Sequence, residues 1–250
     1  MLRIIKLLLL YFGYQLLFVS CLMALAQYVY LEPVAVQAYS LLLSGIAMSI
    51  HLIMARYVSL AVFRVPAGLA SVVLGVGCIF GTMVCCNALS ELIQLPDWLS
   101  SDFEAMSRSV AGILAMVVMA PWVEELLFRG AIQQHLLSQG RSPRSAILLS
   151  AICFGVIHIN PAQVLFAFLM GIALGWVVWR TGSIIPAIAG HLLNNGMSVV
   201  ELRLYGAEGM PAYSVPALLG ISVAGLLLAI SLGWMLNRSV PPVLSEQINN

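Results

Sequence analysis

Eight long apolar runs, at 4–29, 34–55, 66–93, 108–138, 144–159, 162–179, 183–203 and 214–237, follow one another along this chain with only short connectors between them. An apolar helix needs about 20 residues to cross a bilayer, and a soluble fold has no use for so many in series. Only 8% of the residues are charged, against about 25% in soluble domains. The pattern predicts an all-α, polytopic membrane protein of about eight transmembrane helices, forming a single integral membrane domain over 1–250. The first run is longer than the apolar core of a signal peptide and is followed by further spans, so it reads as a retained helix.

The connectors carry turn-forming residues: Glu32-Pro33, Arg64-Val65-Pro66, Leu95-Pro96-Asp97, Arg141-Ser142-Pro143, Asn160-Pro161, Thr181-Gly182 and Gly209-Met210-Pro211. Assigning them alternately to two sides gathers Arg3, Lys6, Arg56, Arg64, Arg141, Arg144, Arg180 and Arg238 on one side and leaves Arg108 and Arg203 on the other. The positive-inside rule then predicts a multi-pass protein of the cell membrane with both termini in the cytoplasm. Segment 94–107, on the acidic side, reads as an amphipathic stretch lying on the surface, and the polar tail SEQINN reads as frayed. A net charge of +1 without any Lys/Arg block gives no footing for nucleic-acid binding. The five cysteines, Cys21, Cys78, Cys85, Cys86 and Cys153, lie in apolar runs without CxxC spacing and read as small packing residues. Gly77/Gly81 and Gly171/Gly175 have GxxxG spacing, which permits close helix approach inside the bundle or, alternatively, across a homodimer face.

Within the fourth run stands PWVEELLFRG, residues 121–130. A charge near the bilayer centre costs roughly 2.5–3.5 kcal/mol, so Glu124, Glu125 and Arg129 need compensation. Glu125 and Arg129 are four apart in the favoured acid-then-base order and can pair. At about 3.6 residues per turn, Glu124 points about 140° away from Arg129. A buried carboxyl left without a charge partner takes up a proton or finds other polar groups. The candidates are His158, near the end of the fifth run, and His191, Asn194 and Asn195 in the seventh. At about 1.5 Å per residue, Glu124 and His158 lie roughly 20 Å from the basic ends of their helices and His191 roughly 12 Å, within reach of one level. The bland reading is a set of structural interhelical contacts. A carboxyl, two imidazoles and an amide converging from three helices are also what water activation requires. His51 and His135, at helix ends, share no face with this set and read as interfacial.

These residues form three ordered patterns on separate helices: EExxxR at Glu124, Glu125 and Arg129; FxxxH at Phe154 and His158; HxxxN at His191 and Asn195. In this order they resemble the CAAX protease and bacteriocin-processing (CPBP, or Abi) family, related to the Ras-converting prenyl protease. The resemblance centres on about 121–200, within a catalytic core of about 108–203. It implies an intramembrane glutamic endopeptidase acting on a membrane-associated protein or peptide substrate, with the lipid bilayer as its other partner. Glu124 would be the general base, His158 would hold and polarise the water, and His191 with Asn195 would donate to the oxyanion; Glu125, Arg129 and Phe154 would support them. It implies no cofactor. Glu and two His also allow a zinc-dependent metalloprotease as an alternative, although HExxH is absent, and a non-catalytic immunity or chaperone-like membrane protein is the third reading.

Overall fold

The computed structural model describes residues 1–65, 67–209 and 213–240. Pro66, Met210 and Pro211 of the expected connectors and the tail SEQINN lie outside the described residues. The secondary structure among these residues is helical: α1 (Leu2–Leu25), α2 (Pro33–Met54), α3 (Gly68–Ile93), α4 (Ser100–Ser107), α5 (Val110–Ser138), α6 (Pro143–Val156), α7 (Pro161–Thr181), α8 (Ile185–Tyr205) and α9 (Val215–Ser239), with short 3-10 turns at Leu60–Phe63 and Gly206–Glu208. Sequence punctuation sets the boundaries. Proline opens α2, α6, α7, α8 and α9 in the first turn, where its missing N–H costs nothing. Ser109 and Ser142 cap α5 and α6 through their hydroxyls, and Gly182, at φ +69°, closes α7 in the left-handed region.

Each of the eight apolar runs holds a helix, but six rather than eight are long and apolar enough to cross a membrane: α1, α2, α3, α5, α7 and α9. Two of the eight expected spans fall short of that measure for physical reasons. At 14 residues, α6 is only about 21 Å long, and α8 carries His191, Asn194, Asn195, Glu201 and Arg203. Both still run between the same two layers of connectors. Ile184, just before α8, bonds through its N–H to the Val62 carbonyl, while Arg203 near the other end donates to the Ser107 carbonyl at 3.0 Å. The turn after α6 returns to the loop after α3, where the Ala162 N–H reaches the Pro96 carbonyl. Segment 94–107 is an irregular stretch over 94–99 followed by α4.

The glycines set how closely these helices approach. A Cβ on Gly81 would stand 2.6 Å from the Ala229 backbone nitrogen, and one on Gly225 would stand 2.7 Å from that of Cys85, so α3 and α9 cross nearly backbone to backbone. A Cβ on Gly171 would meet Ala151 at 3.1 Å, and one on Gly175 would meet Gln133 at 2.7 Å. The two GxxxG patterns therefore face other helices of the same chain. The core gathers around α5, with Arg129, Phe128 and Phe154 among its largest fully buried side chains.

Candidate active site

Two π-helical stretches, Leu114–Met119 and Leu126–Gln133, bracket Glu124 and Glu125 on α5. Such turns pair each N–H with the carbonyl five residues back, are rare, and frequently mark functional sites. Five residues after Met116 comes Pro121, which has no N–H to give. The Met116 carbonyl instead accepts from Asn195 Nδ2 of α8 at 2.9 Å. Asn194 Nδ2 donates to Asn195 Oδ1 at 3.0 Å, which fixes the amide's orientation and leaves it a second N–H.

Glu125 is fully buried, and one of its oxygens receives two donors: Arg129 at 2.9 Å and His191 Nδ1 at 2.9 Å. Arg129 also donates to the Gly171 carbonyl at 3.3 Å and lies 4.3 Å over the Phe154 ring. A carboxylate paired with a guanidinium only accepts, so His191 presents its Nδ1–H to it; in a neutral ring the other nitrogen is an acceptor. That nitrogen, Nε2, sits 3.7 Å from Glu124 Oε2. Glu124 itself is 7% exposed and accepts from the Tyr11 hydroxyl of α1 at 3.5 Å.

His158 stands in the turn just after α6, because that helix ends at Val156 rather than extending to 159. Its Nδ1 donates to the Phe154 carbonyl at 2.8 Å, leaving Nε2 as an acceptor. The Phe154 ring stands edge-on to both imidazoles, with centroids 5.0 Å from His158 and 5.7 Å from His191. The turn is under strain: Ile159, a β-branched residue, has φ +60°, a conformation that costs on the order of 1–3 kcal/mol. Asn160 holds it in place. Buried beneath the turn, it donates to Asp97 at 2.8 Å and accepts from the Trp98 N–H at 3.1 Å.

Glu124, His158, His191 and Asn195 all line one cavity of about 850 Å³. It is also lined by Glu91, Asp97 and Glu201 along with Phe103, Tyr205 and Tyr213, and no Lys or Arg lines it among the described residues. Nearby cations are engaged elsewhere. Arg108 bonds to Glu104 at 2.6 Å, and that bond, with a second from the Ala207 N–H, holds the Glu104 carboxyl below its ordinary range.

Glu124, Glu125, Arg129 and His191 are thus in direct contact, while His158 and Asn195 stand on the walls of the same cavity. Asn194, a candidate in the sequence without a role of its own, orients the Asn195 amide. Two contributors escape the sequence reading. Gln133 extends the buried line of Glu125 and Arg129 by another four residues and donates to the Gly175 carbonyl at 2.9 Å, a spacing that was visible in the sequence. Tyr11 gives no local signal, because an isolated tyrosine in a first span reads as interfacial. Among the described residues no three His, Cys, Asp or Glu side chains come together at the spacing that holds a metal ion.

A family model described as Rce1-like, the Type II CAAX prenyl endopeptidase Rce1-like proteins, matches residues 106–197, which take in α5 through the His191–Asn195 turn of α8. No curated protein and no solved structure matches the chain.

Proposed function

We propose, from the match of residues 106–197 to the Type II CAAX prenyl endopeptidase Rce1-like family model, that Glu124 takes the proton from a water which cleaves a peptide bond inside the membrane. The match over residues 106–197 supports a CAAX-type peptidase with membrane-associated substrates. The observation that carries the reading of its chemistry is the 3.7 Å separation of Glu124 Oε2 and His191 Nε2, two acceptors on the wall of a mostly apolar cavity. Two acceptors at that spacing suit a water that gives one O–H to each.

The steps balance. Water oxygen bonds to the scissile carbonyl carbon while its proton passes to the Glu124 carboxylate, giving a tetrahedral oxyanion. The carbon–nitrogen bond then breaks, and the proton held by Glu124 goes to the departing amine. His158 Nε2, free because Nδ1 is committed to the Phe154 carbonyl, helps hold the water. The second N–H of Asn195 is the oxyanion donor, while His191 Nε2, which accepts from the water, has no proton of its own to give and acts by holding the water. Glu125 and Arg129 fix the tautomer and position of His191, and Phe154 holds the angle between the imidazoles.

The test is cleavage itself. Purified protein in lipid nanodiscs, offered membrane-anchored peptides, should generate new peptide termini, and should do so after treatment with a strong chelator. Chelator inactivation reversed by zinc would transfer the same residues to the metalloprotease reading. Peptides that bind but are never cut would support the non-catalytic reading.

A further inference from the structure

We infer that Tyr11, on α1 and outside the matched segment, is a positioning residue for the Glu124 carboxylate; this rests on the reading of Glu124 as general base. Its hydroxyl makes the one hydrogen bond that Glu124 receives among the described residues, 3.5 Å from Oε1. An ionised carboxylate only accepts, so the phenol donates. The two oxygens are then addressed separately, Oε1 by Tyr11 and Oε2 by His191 Nε2 at 3.7 Å. Arg129 is committed to Glu125 and the Gly171 carbonyl, and one N–H of Asn195 to the Met116 carbonyl.

How α1 docks makes the hydroxyl informative. Only Ile4, Leu7 and Tyr11 of this helix are buried, a single stripe at helical spacing, while Leu9 and Leu16 face outward at 68% and 67% exposure. A phenylalanine at position 11 would serve that stripe equally well. Burying a hydroxyl in apolar surroundings is unfavourable unless it is bonded, and here the Gln15 side chain and the proposed catalytic base are its partners. The bond favours the proton-accepting form of the carboxylate and turns Oε2 toward His191. Other titratable groups around Glu124 are Glu125 and Arg129 on its own helix, His191 on α8 and His158 in the turn after α6. On the cavity wall, α2 presents Leu41, Ser44 and Gly45, none of which titrates, and α3 presents Cys86 and Glu91; Asp97 and Glu201 also line the cavity.

The full chain in nanodiscs, with a membrane-anchored peptide that it cleaves, allows kcat and KM to be followed across pH for wild type, Tyr11→Phe and Glu124→Gln. Tyr11→Phe should lower kcat about tenfold, leave KM within about twofold and move the acid limb of kcat/KM to higher pH. Incorporating 3-fluorotyrosine at position 11, a stronger donor of the same shape, should move that limb to lower pH. A Tyr11→Phe protein that melts like wild type with unchanged kcat and acid limb overturns the inference. If Tyr11→Phe does not fold, the fluorinated protein decides, and an unmoved acid limb overturns the inference. Retained cleavage in Glu124→Gln would instead overturn the general-base reading, whereas an inactive Glu124→Gln beside an unaffected Tyr11→Phe removes only the role of Tyr11.

Discussion

Arg129 is fully buried yet touches nothing that reacts. Its guanidinium joins Glu125, the Gly171 carbonyl and the Phe154 ring, so it ties α5 to α6 and α7. Removing one partner of a buried pair typically costs about 3–5 kcal/mol because the other charge is stranded. Arg129→Ala should therefore reduce yield and melting temperature as well as cleavage, read by thermal denaturation in detergent; an abundant, wild-type-stable but inactive variant would assign Arg129 a direct part in the chemistry. The sequence shows this pair plainly, since charges inside an apolar run demand partners and the four-residue spacing supplies one. The spacing does not show that Glu125 also accepts from His191, 66 residues away. That contact depends on how α8 packs, which no local pattern encodes.

Helix geometry decides which carbonyls are available to side chains. A regular α-helix read from the sequence leaves Met116 satisfied within α5, whereas the π stretch beside Pro121 releases its carbonyl to Asn195. Pro121→Ala would restore an N–H that competes for that carbonyl and would favour regular winding. Cleavage should fall while the melting temperature holds or rises, since an interior proline otherwise costs a helix about 3 kcal/mol. A variant with unchanged cleavage would show that the Asn195 amide needs no such anchor. The end of α6 is a similar case: apolar periodicity runs on to 159, but the helix stops at Val156 and His158 sits in the strained turn that Asn160 pins to the loop after α3.

Across the whole molecule, the apolar runs made the helix positions legible to within a few residues, and the all-α membrane class with them. By length and composition six of the eight runs are long and apolar enough to span, because α6 is short and α8 carries the polar groups that line the cavity. Close helix approach was legible in GxxxG spacing, but its direction, inward for both patterns, follows from tertiary packing. Motif order gave the residues that converge, while the contribution of α1 emerges only once the bundle is assembled. The proposed mechanism turns on the buried Glu124 carboxylate. Glu124→Gln keeps size and polarity but cannot take a proton from water, so the decisive measurement is its rate of peptide cleavage beside its binding of the same peptide. Binding at near wild-type strength with cleavage reduced by a factor on the order of 10²–10⁴ is the predicted result; cleavage at the wild-type rate would contradict it.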